Sequence, residues 1–255
     1  ALKAANETRA LRIGDGILGE VAELFKEQFP GKKAVVVADE TTYRIAGKRV
    51  EEELKHANIE TLPSFIFTDS DLYAEYSYID QLVDSLKQHA AIPVAVGSGT
   101  INDLTKLSSH LTGRRYMCVA TAASMDGYTA FGASITADGA KQTFSCPAPQ
   151  AVLADTSIIS KAPGPMTASG YADLFAKVTA GADWILADAL GVEVIDKKAW
   201  SIVQDGLHDA LSSPKEAAEG EETAISQLIE GLMLGGFAMQ WSKSSRPASG
   251  AEHQF

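Results

Sequence analysis

Cysteine is nearly absent from this chain: Cys118 and Cys146 are the only two in 255 residues, and they show no C-x-x-C spacing. That scarcity leaves no disulfide framework and predicts a reduced, cytoplasmic chain. Both cysteines fall in segments that read as strands. Positive charge is in short supply too, with 22 Lys and Arg against 33 Asp and Glu and a net charge of -11. Such a field argues against nucleic acid or a membrane surface as partner, and an anionic substrate would need a local cluster of donors to overcome it. The N-terminal stretch ALKAANETRALRIG has no apolar h-region, so no signal peptide is expected. The longest apolar stretch, residues 225–241, is interrupted by Gln227 and Glu230 and reads as a buried helix rather than a membrane span. Repeats, low-complexity segments and long charge blocks are missing, and KEAAEGEE at 215–222 reads as a solvated loop or helix edge. There is no G-x-x-x-x-G-K-[ST], no G-x-S-x-G and no H-E-x-x-H, which argues against P-loop, serine-elbow and zincin chemistry.

What remains is a chain of 27.0 kDa with 45% hydrophobic residues, enough for one large domain or two small ones. Up to about residue 160, strand-like and helix-like patterns alternate, which predicts βαβ units around a mainly parallel, Rossmann-like sheet. Ile17, Val21, Leu24 and Phe25 mark a helix, and AVVVAD (34–39) a buried strand. Val50 and Leu54 mark a second helix, PSFIF (63–67) a second strand, and Ile79, Leu82, Val83 and Leu86 a third helix. Strands are also expected before Gly97, over YMCVAT (116–121) and over AVLAD (151–155), with a hairpin about Asp138-Gly139 inside 133–144. Beyond Pro163 and Pro165 the patterns turn helical, over 166–180, 181–190, 196–211 and 223–243. The division predicted is an α/β dinucleotide-binding domain, 1–162, followed by an all-helical domain, 163–255.

The stretch PVAVGSGTINDLTK (93–106) carries the clearest chemistry. An apolar strand runs into a Gly-Ser-Gly turn, and Asn102 or Asp103 is placed to cap the helix that follows. Strand, glycine turn and helix start present backbone N–H groups and a positive helix end to a phosphate. The same turn also serves simply to pack a helix on a sheet. Asp39 ends its strand where a carboxylate can accept ribose hydroxyls, or where it can cap the next helix. TAASMDGYTA (121–130), small and hydroxyl-rich after a strand, reads as a ligand-binding loop, although Asp126 before Gly127 also suits an ordinary turn. Asp173 fits the first turn of a helix, where the dipole favours it. His253 follows a Pro and a Gly and is placed to open a new helix; His56, His89, His110 and His208 suggest no role.

Together, GSGTINDLTK, TAASMDGYTA, the CPAP, AV and AD positions of 146–155, GYADLFAK and SRPASGAEHQF resemble the sn-glycerol-1-phosphate dehydrogenases of bacterial type. That family lies within the iron-containing alcohol dehydrogenase and dehydroquinate synthase superfamily. The segments run in family order, and the resemblance extends from about residue 34 to the last residue. It implies that Asp39, Gly97, Gly99, Thr100, Ile101, Asn102 and Asp103 hold NAD(H) or NADP(H), with Thr121, Ala122, Ala123 and Ser124 continuing that site. Asp126 and Asp173 would face the substrate. Asp173 and His253 would be catalytic as two of three ligands to a divalent metal, zinc or nickel. Two departures stand out. Ala130 replaces a family Ser, and the sequence stops at Phe255, before a substrate-contacting His and the third metal ligand, so a truncated chain is expected.

The implied activity is reduction of dihydroxyacetone phosphate to sn-glycerol 1-phosphate by a homodimer. Lys243 and Arg246 are the nearest basic residues for the substrate phosphate, and surface solvation is their ordinary alternative. A sister polyol or glycerol dehydrogenase, or a dehydroquinate synthase-like enzyme, shares the same motifs. A truncated module that binds NAD without turnover is the alternative of another class.

Overall fold

The computed structural model describes residue 5 and residues 7–254. Short apolar runs form the central strands, buried on both faces as a parallel sheet requires, and flanking strands are half-buried. They are β1 (Ala10–Gly14), β2 (Ala34–Asp39), β3 (Phe65–Phe67), β4 (Ile92–Gly97) and β5 (Met117–Ala120). β6 (Ala133–Ala137) and β7 (Ala140–Phe144) form a separate antiparallel hairpin, and β8 (Ala151–Asp155) returns to the main sheet. The six-stranded order is β1-β8-β5-β4-β2-β3, and every pairing is parallel. The hairpin turns at Asp138 and Gly139, with φ of 53° and 74°, the left-handed pair a two-residue turn demands.

The helices in chain order are α1 (Val21–Gln28), α2 (Glu40–Thr42), α3 (Lys48–His56), α4 (Tyr76–Leu86), α5 (Gly99–Leu111) and α6 (Thr156–Ile159). There follow α7 (Gly164–Ala189), α8 (Lys197–Gln204), α9 (Leu207–Ala210), α10 (Pro214–Ala218) and α11 (Glu222–Ser242). Side-chain alternation along the strands sorts the core into two layers. Ala34, Val36, Ala38, Val94, Val96, Met117 and Val119 pack with α1 and α3. Val35, Val37, Ala95, Cys118, Ala120 and Val152 pack on the other side with α4 and α5. The second layer runs on without a break into Leu174 of α7 and Ile225, Leu228, Leu232 and Phe237 of α11. No strand follows Asp155 among the described residues.

Several expectations need correction. β1 was not anticipated; all five of its residues are half-buried, and its place is fixed by register on β8, from Ala10 opposite Ala151 to Gly14 opposite Asp155. Asp155, buried, closes that edge by accepting the N–H groups of Gly16 (3.0 Å) and Leu18 (2.8 Å). The stripe at Ile17–Phe25 divides into a 3-10 turn and α1. PSFIF yields only the three residues of β3, and Cys146 lies in the loop after β7 rather than in a strand. The helices expected at 166–180 and 181–190 are one, because Gly181 serves close packing: a Cβ there would lie 2.7 Å from Gln204 Nε2. The helix expected over 196–211 breaks at Gly206, whereas KEAAEGEE, read as a solvated loop or helix edge, is largely exposed and joins α10 to α11 as such an edge.

The outward stripe of α7, through Ala168, Ala172, Phe175, Thr179, Ala182 and Leu186, is exposed and carries no charge. On its inward side α7 meets the loop after β5 backbone to backbone. A Cβ on Gly170 would sit 1.9 Å from the Ala123 carbonyl oxygen. Gly170→Ala should therefore force helix and loop apart and cost about 1–3 kcal/mol, read as a lower urea midpoint at unchanged m-value.

Candidate active site

The strand order reverses between β2 and β4, and in open parallel sheets the crevice at such a point holds the ligand. A cavity of about 370 Å3 lies there, walled by Asp39, Phe67, Asp69, Ser98, Thr100 and Ile101 among others. α5 opens directly out of β4. Its N-cap is Ser98, extended at φ -101° and ψ -154°, and no side chain occupies the cap. The N–H of Asn102 is bonded to Ser98 O at 3.0 Å, so those of Gly99, Thr100 and Ile101 point out of the helix start without an intrahelical acceptor. This helix start lies earlier than expected: Asn102 and Asp103 are inside α5 and cap nothing.

The two glycines of the turn differ in purpose. A Cβ on Gly97 would lie 2.6 Å from Ile101 Cβ, so this glycine lets the helix fold back on its strand. A Cβ on Gly99 would meet only Met125, at 3.4 Å. Asn102 and Asp103 turn inward. Asn102 donates to Gly127 O (3.1 Å) and accepts from Tyr116 Oη (2.9 Å), and Asp103 accepts the Ser134 N–H at 3.1 Å. Asp39 caps α2 by accepting the Thr42 N–H at 2.8 Å, and the same carboxylate lines the cavity.

The loop after β5 is held at every few residues. Thr121 N–H reaches Gly97 O at 3.1 Å, and Ala122 O accepts from Tyr128 Oη at 2.7 Å. Ala123 is buried beneath Gly170, and Ser124 is half-buried beside it. Lys106, 1% exposed, donates to three carbonyls of this loop: Gly127 (2.9 Å), Ala130 (3.1 Å) and Gly132 (2.9 Å). Burial holds the Asp103 carboxyl above its usual range, with Lys106 beside it acting in the opposite direction. α11 touches the loop through Gly236, whose Cβ would fall 2.1 Å from Thr129 Oγ1. Ala130, where the resemblance expects Ser, is buried against Met239 and Ala248.

Asp126, Asp173 and His253 come together although they lie far apart in the chain. Asp173 sits well inside α7 rather than in a first turn, so a dipole role does not explain it. Its Oδ2 accepts the Asp126 N–H at 2.8 Å, and its Oδ1 faces His253 Nε2 at 3.9 Å. Burial and the Asp126 carboxylate hold its carboxyl above the usual range. Lys177 lies between the two carboxylates, fully buried, 2.9 Å from Asp126 Oδ2 and 3.2 Å from Asp173 Oδ1. Burial opposes its charge, but the two carboxylates outweigh that and hold its ammonium above the ordinary lysine range. His253 lies in a 3-10 turn, Ala251–Gln254, pinned to α7 where the Ala251 N–H meets Asp183 Oδ2 at 2.8 Å. Its Nδ1 lies 2.5 Å from Glu252 Oε1, which also accepts the Gly250 N–H at 2.8 Å.

An acid oxygen and an imidazole nitrogen converging from two elements suit a divalent cation as partial ligands. No set of three His, Cys, Asp or Glu able to hold a metal forms among the described residues. Lys243 and Arg246 are otherwise engaged: Lys243 pairs with Glu7, and Arg246 Nε with Glu193 Oε2 at 3.1 Å. Lys106, Lys177 and Glu252 escaped the sequence reading. The signal available for the lysines was an Asp three or four residues earlier, in Asp103–Lys106 and Asp173–Lys177, within otherwise small and apolar helices.

A parallel sheet with a helix start at its reversal point, backed by a helical layer carrying an Asp and facing a His, defines a dinucleotide-type α/β scaffold joined to a helical site. The profile of the iron-containing alcohol dehydrogenases matches residues 12–163, and the chain belongs to that family. It is 34% identical over 245 residues to glycerol-1-phosphate dehydrogenase [NAD(P)+] of Bacillus licheniformis, covering 95% of this chain and 61% of that protein. To the enzyme of the same name from Methanosarcina mazei it is 34% identical over 248 residues, covering 97% and 68%. Among solved structures, a probable glycerol dehydrogenase from Sinorhizobium meliloti superposes with a TM-score of 0.74 at 18% identity, covering 92% of this chain and 66% of that one. Sulfoacetaldehyde reductase from Bifidobacterium kashiwanohense, solved with NAD+, gives 0.75 at 17% identity, covering 98% and 68%. The chain thus spans about three-fifths of the length of the first of these relatives.

Replacing Lys106 with Met would leave three buried carbonyls of the loop without their donor. We expect a loss of about 3 kcal/mol or more, measured by urea unfolding. The same change at the exposed Lys141 should stay within about 0.5 kcal/mol.

Proposed function

We propose that the protein carrying this chain reduces dihydroxyacetone phosphate to sn-glycerol 1-phosphate, with NADH or NADPH as hydride donor and a divalent metal, zinc or nickel, in the site. The observation that carries this reading is the meeting of Asp126, Asp173 and His253, with Met125, the neighbour of Asp126, packed against Gly99 at the helix start. Four of the five segments supply these residues, and relatives 34% identical to the chain bear the name of this activity.

The residues divide the work by their chemistry. The N–H groups at Gly99, Thr100 and Ile101 offer donors to the pyrophosphate of a dinucleotide. Asp39 offers an acceptor to ribose hydroxyls from the opposite wall of the cavity. Asp173 Oδ1 and His253 Nε2 would hold the metal, which when bound supplies Lewis-acid polarisation of the substrate carbonyl. Asp126, from the loop, can accept a hydrogen bond from the substrate hydroxyl and so set which face of the carbonyl meets the hydride. Its backbone bond to Asp173 keeps substrate and metal positions in fixed relation.

A second reading is a chain that binds the dinucleotide without turnover. It is favoured by one observation, that Asp173 and His253 find no third ligand among the described residues. Metal uptake separates the two: one tightly bound ion per chain with substrate-dependent NADH oxidation supports the enzyme, and dinucleotide binding without either supports the module. A panel of dihydroxyacetone phosphate, dihydroxyacetone, glycerol and the dehydroquinate synthase substrate, compared by kcat/KM, separates the sister enzymes. A homodimer, resting on the family resemblance alone, is checked by sedimentation equilibrium.

In the full-length protein, Asp173→Asn and His253→Ala should each abolish metal-dependent turnover and deplete bound metal, while NADH affinity stays within about twofold. Full metal occupancy with near-normal activity in Asp173→Asn would refute the ligand assignment. Asp39→Ala should cost about 0.5–2 kcal/mol through the lost helix cap. It should also shift kcat/KM from NADH towards NADPH, because the carboxylate that would repel a 2′-phosphate is gone. An unchanged ratio would remove Asp39 from the ribose site.

A further inference from the structure

The pair Asp126 and Asp173 poses a problem that the family resemblance does not address. Two carboxylates in one hydrogen-bonded unit sit where a divalent cation is proposed, and both are chemically able to bind it. Left to themselves they would both turn to the cation, and the acceptor meant for the substrate hydroxyl would be lost. Lys177 lies where it can prevent this. Each of its three ammonium hydrogens has an acceptor: Asp126 Oδ2 at 2.9 Å, Asp173 Oδ1 at 3.2 Å and the Asp173 carbonyl at 3.0 Å. The last bond ties the ammonium to the preceding turn of its own helix.

α11 closes the other side. A Cβ on Gly235 would lie 2.7 Å from Lys177 Cε and 3.2 Å from Asp126 Oδ2, so only a glycine there admits the lysine and its partner as placed. The Lys177 carbonyl is further fixed by Gln204 Nε2 at 3.0 Å. The lysine is thus a buried point charge, held by two helices, that touches both carboxylates and reaches neither His253 nor the cavity under Asp39.

We propose that Lys177 is a positioning residue that gives the two carboxylates different tasks, retaining Asp126 on its own ammonium for the substrate and leaving Asp173 to the metal with His253. The proposal rests on the reading of the site given above. Its charge count has a direct consequence. Two carboxylates and one ammonium give the unit a net charge of -1; removing the ammonium makes it -2 and frees Asp126 to join the cation. Loss of any neighbouring ammonium tightens cation binding through charge alone. A group that withholds Asp126 for the substrate also raises KM when it is removed, and the two readouts together identify it.

The test uses the full-length protein and Lys177→Met, which keeps the length of the side chain and removes its charge. Zinc affinity of the metal-free protein is measured by competition with a chromophoric chelator, and kcat and KM are measured separately with dihydroxyacetone phosphate. We expect zinc to bind about tenfold more tightly or better, with KM rising by at least about tenfold as Asp126 leaves the substrate. The double variant Lys177→Met/Asp126→Asn restores the charge of -1 and removes the migrating ligand. Its zinc affinity should return to within about threefold of the unaltered protein. It also serves where the single variant does not fold, since there zinc affinity above that range would overturn the proposal. Unchanged or weaker zinc binding, or an unchanged KM, in Lys177→Met overturns it as well. If the unaltered protein shows no zinc-dependent turnover, the proposed function fails instead.

Discussion

A single ammonium group, buried and surrounded by carbonyl oxygens, decides where everything at the carboxyl edge of the sheet lies. Lys106 has no water to solvate it, and an unpaired charge there would cost several kcal/mol. The carbonyls of Gly127, Ala130 and Gly132 must therefore converge on one point at about 3 Å from the nitrogen. Three carbonyls within six residues can meet such a point along very few backbone paths. The path taken leads directly from Asp126, so Lys106 helps place the backbone of that residue while Lys177 holds its carboxylate. Lys106 stands on α5, the helix whose first N–H groups face the cavity, and one side chain thereby links the helix start to the substrate loop.

The same device recurs on the far side of the loop. Lys177 on α7 follows its carboxylate partner by four residues, as Lys106 follows Asp103 by three, and both spacings place the pair on one helix face. Between them the loop is gripped by charge on two sides and by backbone contact on others. Gly170, Gly235 and Gly236 mark places where a helix approaches so closely that no side chain fits between. Precise sites depend on such support, because a misplacement of about 1 Å is enough to lose catalysis. The uninterrupted apolar layer from β2 to α11 serves the same end, since it packs the helical region and the sheet into one core.

How far the sequence disclosed this follows from what each feature depends on. The strands at 34–39, 92–97, 117–120 and 151–155 were legible because burial on both faces removes polar residues altogether. The hairpin was legible because only certain residues tolerate two successive left-handed conformations. β1 was not legible: an edge strand, half-buried throughout, has no pattern, and only its register on β8 makes it a strand. The division of α7 failed because a glycine in a helix reads as a break, whereas Gly181 is there to let Gln204 approach. For the candidate site, motifs singled out the turn at Gly97–Asp103 and the two aspartates, and the structure brings Asp126 and Asp173 into contact but turns Asn102 and Asp103 away. Asn102 and Asp103 belong to the same ten-residue motif as Gly99 and Thr100, yet their side chains hold loop and strand together inside the protein. A sequence lists neighbours along the chain; whether a polar side chain faces the cavity or the core is a property of the helix turn it falls on.

The distribution of charge then constrains how an anionic ligand can bind at all. Lys106 is consumed by carbonyls and Lys177 by carboxylates, while Lys243 and Arg246 are drawn into ion pairs with Glu7 and Glu193. Asp39, Glu40 and Asp69 place three acids on the wall of the cavity at the reversal point. In a chain of net charge -11, little side-chain positive charge at this edge is therefore left for a phosphate. Beside the hydroxyls of Thr41, Thr68, Ser70, Ser98 and Thr100 on the cavity wall, backbone N–H groups at the start of α5 carry partial positive charge that no acid can neutralise. A dinucleotide bound as proposed is sorted by this field. Its pyrophosphate is directed to the helix start, its neutral ribose to the acids, and an additional 2′-phosphate would be set against Asp39. The scarcity of basic residues at this edge thus directs a bound pyrophosphate to the start of α5, where the backbone supplies partial positive charge.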